Sequence, residues 1–336
     1  MMLSSLTRIS PLADTGFTVE PLPRAEWATG DYVVAEVTDL HPAGPVEVAS
    51  GRLVRMTQGD RVMGALGSRF ATIEATGTWQ DVGDDGRIHL LTAGGILGRL
   101  RSLSTMAPSP TAMVYRGHVV SDGRKRTMKE FAGAAGDPAA FRVPVVLLIG
   151  TSMSAGKTTA AKAVIRVLKK RGLRVLGAKV TGAGRYRDIL GMQDAGADAI
   201  LDFVDAGLPS THCPEAEFAP AMDLMLGRMA EIDVDIAVIE AGASPLEPYN
   251  GAHAVERLDA RRCFTVLCAS DPYAVVGALE AYGLKPDLVT GPTANTEAGV
   301  ALVDRLTGLP VLDLMKGDQI PRLEAMLDSV LGGLSG

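Results

Sequence analysis

The stretch that decides the fold is Val143–Ala161, VPVVLLIGTSMSAGKTTAA. An apolar run of strand length ends at Gly150. A short loop follows, and Gly156-Lys157-Thr158-Thr159 opens a helical pattern. A strand, a glycine-bounded loop and a helix N-terminus in this order make a cradle for phosphate. Backbone N–H groups converge there, and the helix dipole favours an anion. In such a cradle Lys157 reaches the outer phosphates and the Thr158 hydroxyl is placed to ligate Mg²⁺. The loop residues Gly150, Thr151, Ser152, Ser154, Ala155, Gly156, Lys157, Thr158 and Thr159 are the candidate phosphate contacts. The usual spacing is four residues between the glycines. Here Thr151 to Ala155 make five. The alternative is a Gly-rich strand-to-helix turn that binds nothing, and the strand–loop–helix context favours the cradle.

The texture of the chain changes at this point. Residues 1–142 carry short runs rich in β-branched residues, DYVVAEVTDL, GRLVRMTQGD, RVMGALG and RFATIEATGTW, punctuated by Gly, Asp and Pro. Further apolar runs occupy 89–104 and 111–120, and AGAAGDP (132–138) reads as a linker. A small β-rich, barrel-like domain is expected, with His118 and Tyr115 as packing or surface residues rather than catalytic ones. From 143 to 336 apolar strands alternate with helical patterns. The expected strands are 143–150, 174–180, 235–241, 263–269, 286–290 and 310–313. The expected helices are 157–171, 188–206, 219–231, 271–282, 295–307 and 318–332. That alternation predicts an α/β domain with a mostly parallel, doubly wound sheet. Ligands of such sheets collect at the carboxyl ends of the strands.

Two further strands end in charge at that edge. One ends at Lys179 (RVLGAKVTG), which could neutralise a γ-phosphate or an acidic substrate. Another ends at Glu240 (VDIAVIEAGA), placed as a Mg²⁺-side acid. Asp188 is a second candidate metal ligand. Arg185, Arg187 and Glu247 are weaker candidates. Asp194, Asp198, Asp202 and Asp205 fall four, four and three residues apart, one helical face if the segment is a helix. His212 and Cys213 form one pair without further ligand spacing.

Composition narrows the classes. The formal net charge of −6 opposes a generic nucleic-acid surface. The basic clusters Arg124-Lys125-Arg126 and Lys169-Lys170-Arg171 read as solvated surface. The three cysteines, Cys213, Cys263 and Cys268, lack framework spacing and suit a reducing compartment. No sustained apolar segment reads as a signal peptide or a membrane span, so a cytoplasmic protein without membrane association is expected.

The loop GTSMSAGKTT, the strand ending AKVTG and the strand ending IEAGA resemble, in that order, dethiobiotin synthetase of the SIMIBI class of P-loop proteins. Over about residues 143–315 the chain also resembles a two-domain P-loop family that includes D-glutamate N-acetyltransferases, through ADAILDFVDAG and IEAGASPLEPYNG. The first resemblance implies phosphate and Mg²⁺ roles for Lys157 and Thr158, substrate and phosphate contact for Lys179, and a metal role for Glu240. It also places the base near Asn295 or Thr293, in PDLVTGPTAN. No Asn-Lys-x-Asp guanine signature is present, which favours ATP over GTP. The expected function is a Mg-ATP-dependent kinase- or ligase-type enzyme acting on a small carboxylate or amine metabolite, as a homo-oligomer. Catalytic roles would fall on Lys157, Lys179 and Glu240. The alternatives are an N-acyltransferase holding acetyl-CoA on the loop, and a nucleotide-gated binding or delivery protein.

Overall fold

The computed structural model describes residues 1–39, 44–283 and 285–332. Leu40, the last residue of the first expected strand, lies outside them. The chain forms two compact units. One comprises Met1–Ala134, Ala183–Arg187 and Phe203–Ala221; the other comprises Ala135–Gly182, Asp188–Asp202 and Met222–Gly336. No single cut of the sequence separates them, because two short segments from the later half belong to the first unit.

The first unit is built on a closed ring of strands. They are β1 (Tyr32–Val37), β2 (Arg61–Leu66), β3 (Arg87–Leu90), β4 (Ile96–Leu103) and β5 (Thr111–Ser121). β1 pairs antiparallel with β2 and β5, β5 with β3, and β3 with β4. β4 then returns to β2 in parallel, through Ile96↔Ala65 and Leu97↔Leu66. Closure leaves these strands without an open edge. The interior is aliphatic, with Val33, Ala35, Val62, Leu66, Ile88, Leu97 and Met113 buried together.

His118 and Tyr115 do pack inside this unit, and they form a polar chain there. The Tyr115 hydroxyl lies 2.6 Å from His118 Nδ1. His118 Nε2 lies 3.2 Å from Asp31 Oδ2, with both side chains fully buried. Lys125 Nζ donates to the same Asp31 oxygen at 2.8 Å. The first basic cluster is therefore not wholly solvated surface: a buried carboxylate needs a cation, and Lys125 supplies it. A second buried acid, Glu47, accepts from Ser5 Oγ at 2.5 Å and from the backbone N–H groups of Tyr186 and Arg187 at 2.6 and 3.1 Å.

The second unit is the expected α/β domain. Its strands are β6 (Val145–Gly150), β7 (Val175–Thr181), β8 (Ala199–Asp202), β9 (Ile236–Ala241), β10 (Arg262–Cys268) and β11 (Leu288–Thr290). All pairs are parallel, in the order β8-β7-β9-β6-β10-β11. The helices of this half of the chain are α1 (Lys157–Lys170), α2 (Tyr186–Asp194), α3 (Glu215–Glu231), α4 (Gly251–Leu258), α5 (Pro272–Tyr282), α6 (Glu297–Thr307) and α7 (Ile320–Gly332). β6, β7 and β9 are buried along their whole length, as strands covered on both faces must be. α1 buries Ala160, Ala161, Val164, Ile165 and Leu168 and exposes Arg166. The basic cluster at its end is paired: Lys169 with Asp198 at 2.7 Å, Lys170 with Glu324 at 3.6 Å, and Arg171 with Asp328 at 2.6 Å.

The long helix expected over 188–206 does not form. α2 ends at Asp194, and Gly196 takes φ +109°, a conformation that stops a helix. The chain then enters β8. Asp194, Asp198, Asp202 and Asp205 therefore share no helical face. Asp198 binds Lys169, Asp202 closes β8, and Asp205 pairs with Arg8 at 3.0 Å. The segment 310–313 is not a strand of the sheet either; it makes a single parallel bridge, Val289↔Val311. α4 was not expected from periodicity, being only eight residues long.

Candidate functional site

The site is assembled at the carboxyl edge of the parallel sheet, where β6, β7 and β9 end side by side. Register fixes the neighbours. Glu240 on β9 stands opposite Leu148 on β6 and Lys179 on β7, and Lys179 stands opposite Asp202 on β8. One row across the sheet thus reads Asp202, Lys179, Glu240, with the phosphate-loop strand beside it. Asp202, one of the four aspartates at helical spacing, is fully buried here.

The loop from Gly150 to Gly156 closes over the end of β6. Thr151 N–H donates to the Cys268 carbonyl at 3.0 Å, and Thr151 Oγ1 accepts from Ser270 N–H at 3.2 Å. These bonds tie the loop to β10. Lys157, only 2% exposed, turns back along the loop, and its ammonium donates to the Ser152 carbonyl at 2.6 Å. A Cβ on Gly150 would lie 2.7 Å from Lys157 Nζ, so only glycine leaves the lysine this path. Burial pushes the Lys157 ammonium below its ordinary value, and the nearby Glu240 charge opposes that shift. The Ser152 side chain is 6% exposed, and its hydroxyl has no hydrogen-bond partner among the described residues. A phosphate oxygen bound in this loop would satisfy that buried donor. Ser154 is exposed, and Ala155 is buried against the end of β11.

Thr158 Oγ1 donates to Glu240 Oε2 at 2.9 Å. A hydroxyl and a carboxylate in contact, beside a phosphate cradle, fit Mg²⁺. That ion takes one or two protein oxygens and completes its shell with phosphate and water. No group of three or more His, Cys, Asp or Glu side chains that could hold a metal occurs among the described residues. Asp188 is turned to a different partner: its carboxylate pairs with the Lys179 ammonium. Lys179 is 5% exposed. Burial alone would lower its ammonium, but the Asp188 and Glu240 charges and the Asp188 hydrogen bond outweigh it, and the net shift is upward. Lys179 is thus held as a cation at the sheet edge.

The chain after Glu240 forms a constrained loop. Ala243 and Asn250 take φ +56° and +59°, rare for residues with a side chain. Glu247 is buried within it. The Tyr282 hydroxyl from α5 is bonded to Ser244 and donates to the Gly150 carbonyl at 3.4 Å. Tyr282 therefore ties this loop to the phosphate loop. No sequence signal marks it, since the two contacts come from residues 38 and 132 positions away.

Of the two expected base contacts, Asn295 lines a cavity of about 130 Å³ that also touches Gly156 and Thr159, while Thr293 is buried beside it. Gly291, at φ +95°, closes that cavity against the phosphate loop; a Cβ there would lie 2.5 Å from the Ala155 carbonyl. Arg185 and Arg187 are exposed. The Cys213 thiol is pushed up to about 12 by burial, and so is that of Cys268. Neither is a ready nucleophile. No helix among the described residues is long and apolar enough to cross a membrane.

No family model and no curated protein matches the sequence. Among solved structures, the chain is similar to chloroplast FtsY from Physcomitrella patens (19% identity, 51% of this chain and 57% of that one, TM-score 0.37). It is also similar to a duf1611 family protein from Anabaena variabilis (19% identity, 58% and 60%, TM-score 0.39). A third similarity is to the hydrogenase maturation factor HypB from Archaeoglobus fulgidus (16% identity, 58% and 94%, TM-score 0.39). The chain spans less than two thirds of the first two. At this level the likeness says nothing of what the chain binds or does.

Proposed function

We propose that this protein is a Mg²⁺- and nucleoside-triphosphate-dependent enzyme that transfers a phosphoryl group to a small carboxylate or amine metabolite, activating or ligating it. The observation that carries the reading is the meeting of Lys157, the Thr158–Glu240 pair and Lys179 at one sheet edge. Phosphoryl transfer asks mainly for positioning and charge neutralisation. Lys157 and the loop amides would hold the β- and γ-phosphates, and the Ser152 hydroxyl would gain its missing partner. Thr158 and Glu240 would hold Mg²⁺, which supplies charge neutralisation between the phosphates. Lys179, kept protonated by Asp188 and Glu240, would face the acceptor's carboxylate or the transferred group. ATP is the nucleotide the sequence motifs favour, and the small metabolite is the only partner this chemistry requires. A homo-oligomer is the expected assembly.

The deciding measurement is equilibrium binding of Mg-nucleotide to the full chain, followed by turnover over a panel of small acids and amino acids. Saturable binding that needs Mg²⁺ and disappears in Lys157→Ala supports the reading. Acetyl transfer to an amino acid that resists EDTA, with no nucleotide bound, would replace it with the acyltransferase. Slow hydrolysis with no phosphorylated or ligated product would leave a nucleotide-gated binding protein.

A further inference from the structure

A cavity of about 340 Å³ is walled by the loop after Glu240, by α4 and by the end of α5. That volume lies within the range of small-ligand sites. Pro245, Leu246, Val255 and Ala281 make much of its wall apolar. Three further residues give it chemical character: Glu256, Asp259 and Tyr282. Glu256 and Asp259 stand three residues apart on the α4 side, and both are exposed. Asp259 accepts from the Arg262 guanidinium through one oxygen, Oδ1, at 2.6 and 3.1 Å. Arg257 is turned to Asp223 on α3. Glu256 has no ion pair among the described residues. Two carboxylates against one guanidinium leave this wall negative. The Tyr282 hydroxyl is already committed, bonded to Ser244 and donating to the Gly150 carbonyl at 3.4 Å. What Tyr282 offers the cavity is therefore its ring.

We propose that this cavity binds a small organic amine with an apolar body, and that Tyr282 passes its occupancy to the phosphate loop. The second half rests on the phosphate-cradle reading; the first does not. An ionised carboxylate is an acceptor only, and an ammonium is a donor only. The face of an aromatic ring attracts the same cation. The apolar wall takes the hydrocarbon body out of water. An anion of the same shape would meet the carboxylates and the negative ring face, and both repel it. A ligand packed against the ring holds Tyr282 in place. Its hydroxyl then stays on Ser244 and Gly150, which fixes the loop after Glu240 and the start of the phosphate loop together. Less ordering is left for nucleotide binding to impose, so the two ligands favour each other.

The test titrates the full chain with three probes of similar shape, 2-phenylethylamine, 2-phenylethanol and 3-phenylpropionate, by ligand-observed NMR. The amine is expected to bind about five- to tenfold tighter than the alcohol, the increment of one screened charge pair with a ring contact. The carboxylate is expected to bind weakest. Glu256→Gln, at an exposed position, is expected to bring the amine within about twofold of the alcohol and to leave nucleotide affinity without probe unchanged. Saturating amine is expected to tighten Mg-nucleotide binding about fivefold or more. Tyr282→Phe keeps the ring and loses the hydroxyl, so it is expected to keep amine binding and to remove that gain. Equal binding of the three probes, or no binding, overturns the amine site. Amine binding with unchanged nucleotide affinity overturns the link through Tyr282. If no nucleotide binds with or without amine, the cradle reading fails and the link with it, and the probe series still decides the amine site.

Discussion

The Thr158 hydroxyl donates to the Glu240 carboxylate at 2.9 Å, joining the first turn of α1 to the end of β9 across 82 residues of sequence. That contact exists because β9 lies directly beside β6 in the sheet. On the proposed reading, Mg²⁺ would be held by these two groups. Glu240→Gln keeps the shape and removes the charge. It is expected to leave nucleotide affinity in EDTA nearly unchanged and to abolish the Mg²⁺-dependent increment. Turnover should fall about 10²–10³-fold, the usual effect of losing one group that stabilises developing charge. Binding isotherms with and without Mg²⁺ check this.

Lys157→Ala removes the cation that, on the proposed reading, would reach the outer phosphates. Nucleotide affinity is expected to fall about a hundredfold or more, as for loss of a charge-assisted contact in a closed site. Its stability effect has a sign of its own. Burial lowers the Lys157 ammonium in the folded chain. A cation with a lowered folded value burdens the fold at neutral pH, and the burden lifts as pH rises towards the ordinary lysine value of 10.5. Bound phosphate supplies the missing counter-charge. Hence this lysine's contribution to the pH dependence of unfolding should flatten when nucleotide is added, which thermal melts across pH 7–10 would show by comparison with Lys157→Ala.

Lys179 behaves in the opposite way. Its ammonium is raised above the ordinary value by Asp188 and Glu240 in spite of burial. The stabilisation is fully present below pH 10.5 and is lost as pH rises through the higher folded value. Lys179→Met leaves buried carboxylates without their cation and should cost about 3–5 kcal/mol of stability. If urea unfolding shows Lys179→Met as stable as the parent, the buried pairing described here is wrong.

Gly291→Ala places a Cβ 2.5 Å from the Ala155 carbonyl, on a backbone at φ +95°. Strain of this kind costs about 1–3 kcal/mol. Relief would push the end of β11 away from the phosphate loop. The expected outcome is a lowered melting temperature together with weaker nucleotide binding, whichever base is used.

Cys268 and Cys213 are predicted to resist alkylation at pH 8 in the folded chain, since burial pushes both thiols up to about 12. Labelling on unfolding, read by mass spectrometry, checks this. With folded values raised, the unfolded chain ionises first. Stability should therefore fall as pH rises from the ordinary thiol value of 9.0 towards 12.

The sequence by itself determined the α/β unit, the glycine-bounded loop between Gly150 and Gly156, and the strand ends carrying Lys179 and Glu240. These are local matters: apolar runs, a glycine-bounded turn and a helix start are all written in contiguous residues. Local periodicity also misled it. The aspartates between Asp188 and Asp205 have helical spacing, yet Gly196 breaks the helix and β8 takes Asp202 into the sheet. What only the tertiary structure decided is which charges meet. Strand order puts Glu240 between the phosphate-loop strand and Lys179, and chain return beside β11 brings Asp313 to the cavity of Gly156 and Asn295. Tyr282 reaches Gly150, and Lys125 reaches Asp31, for the same reason. Hydrogen bonds and ion pairs act over about 3–4 Å, so they depend on which segments the sheet places together and not on their distance along the chain.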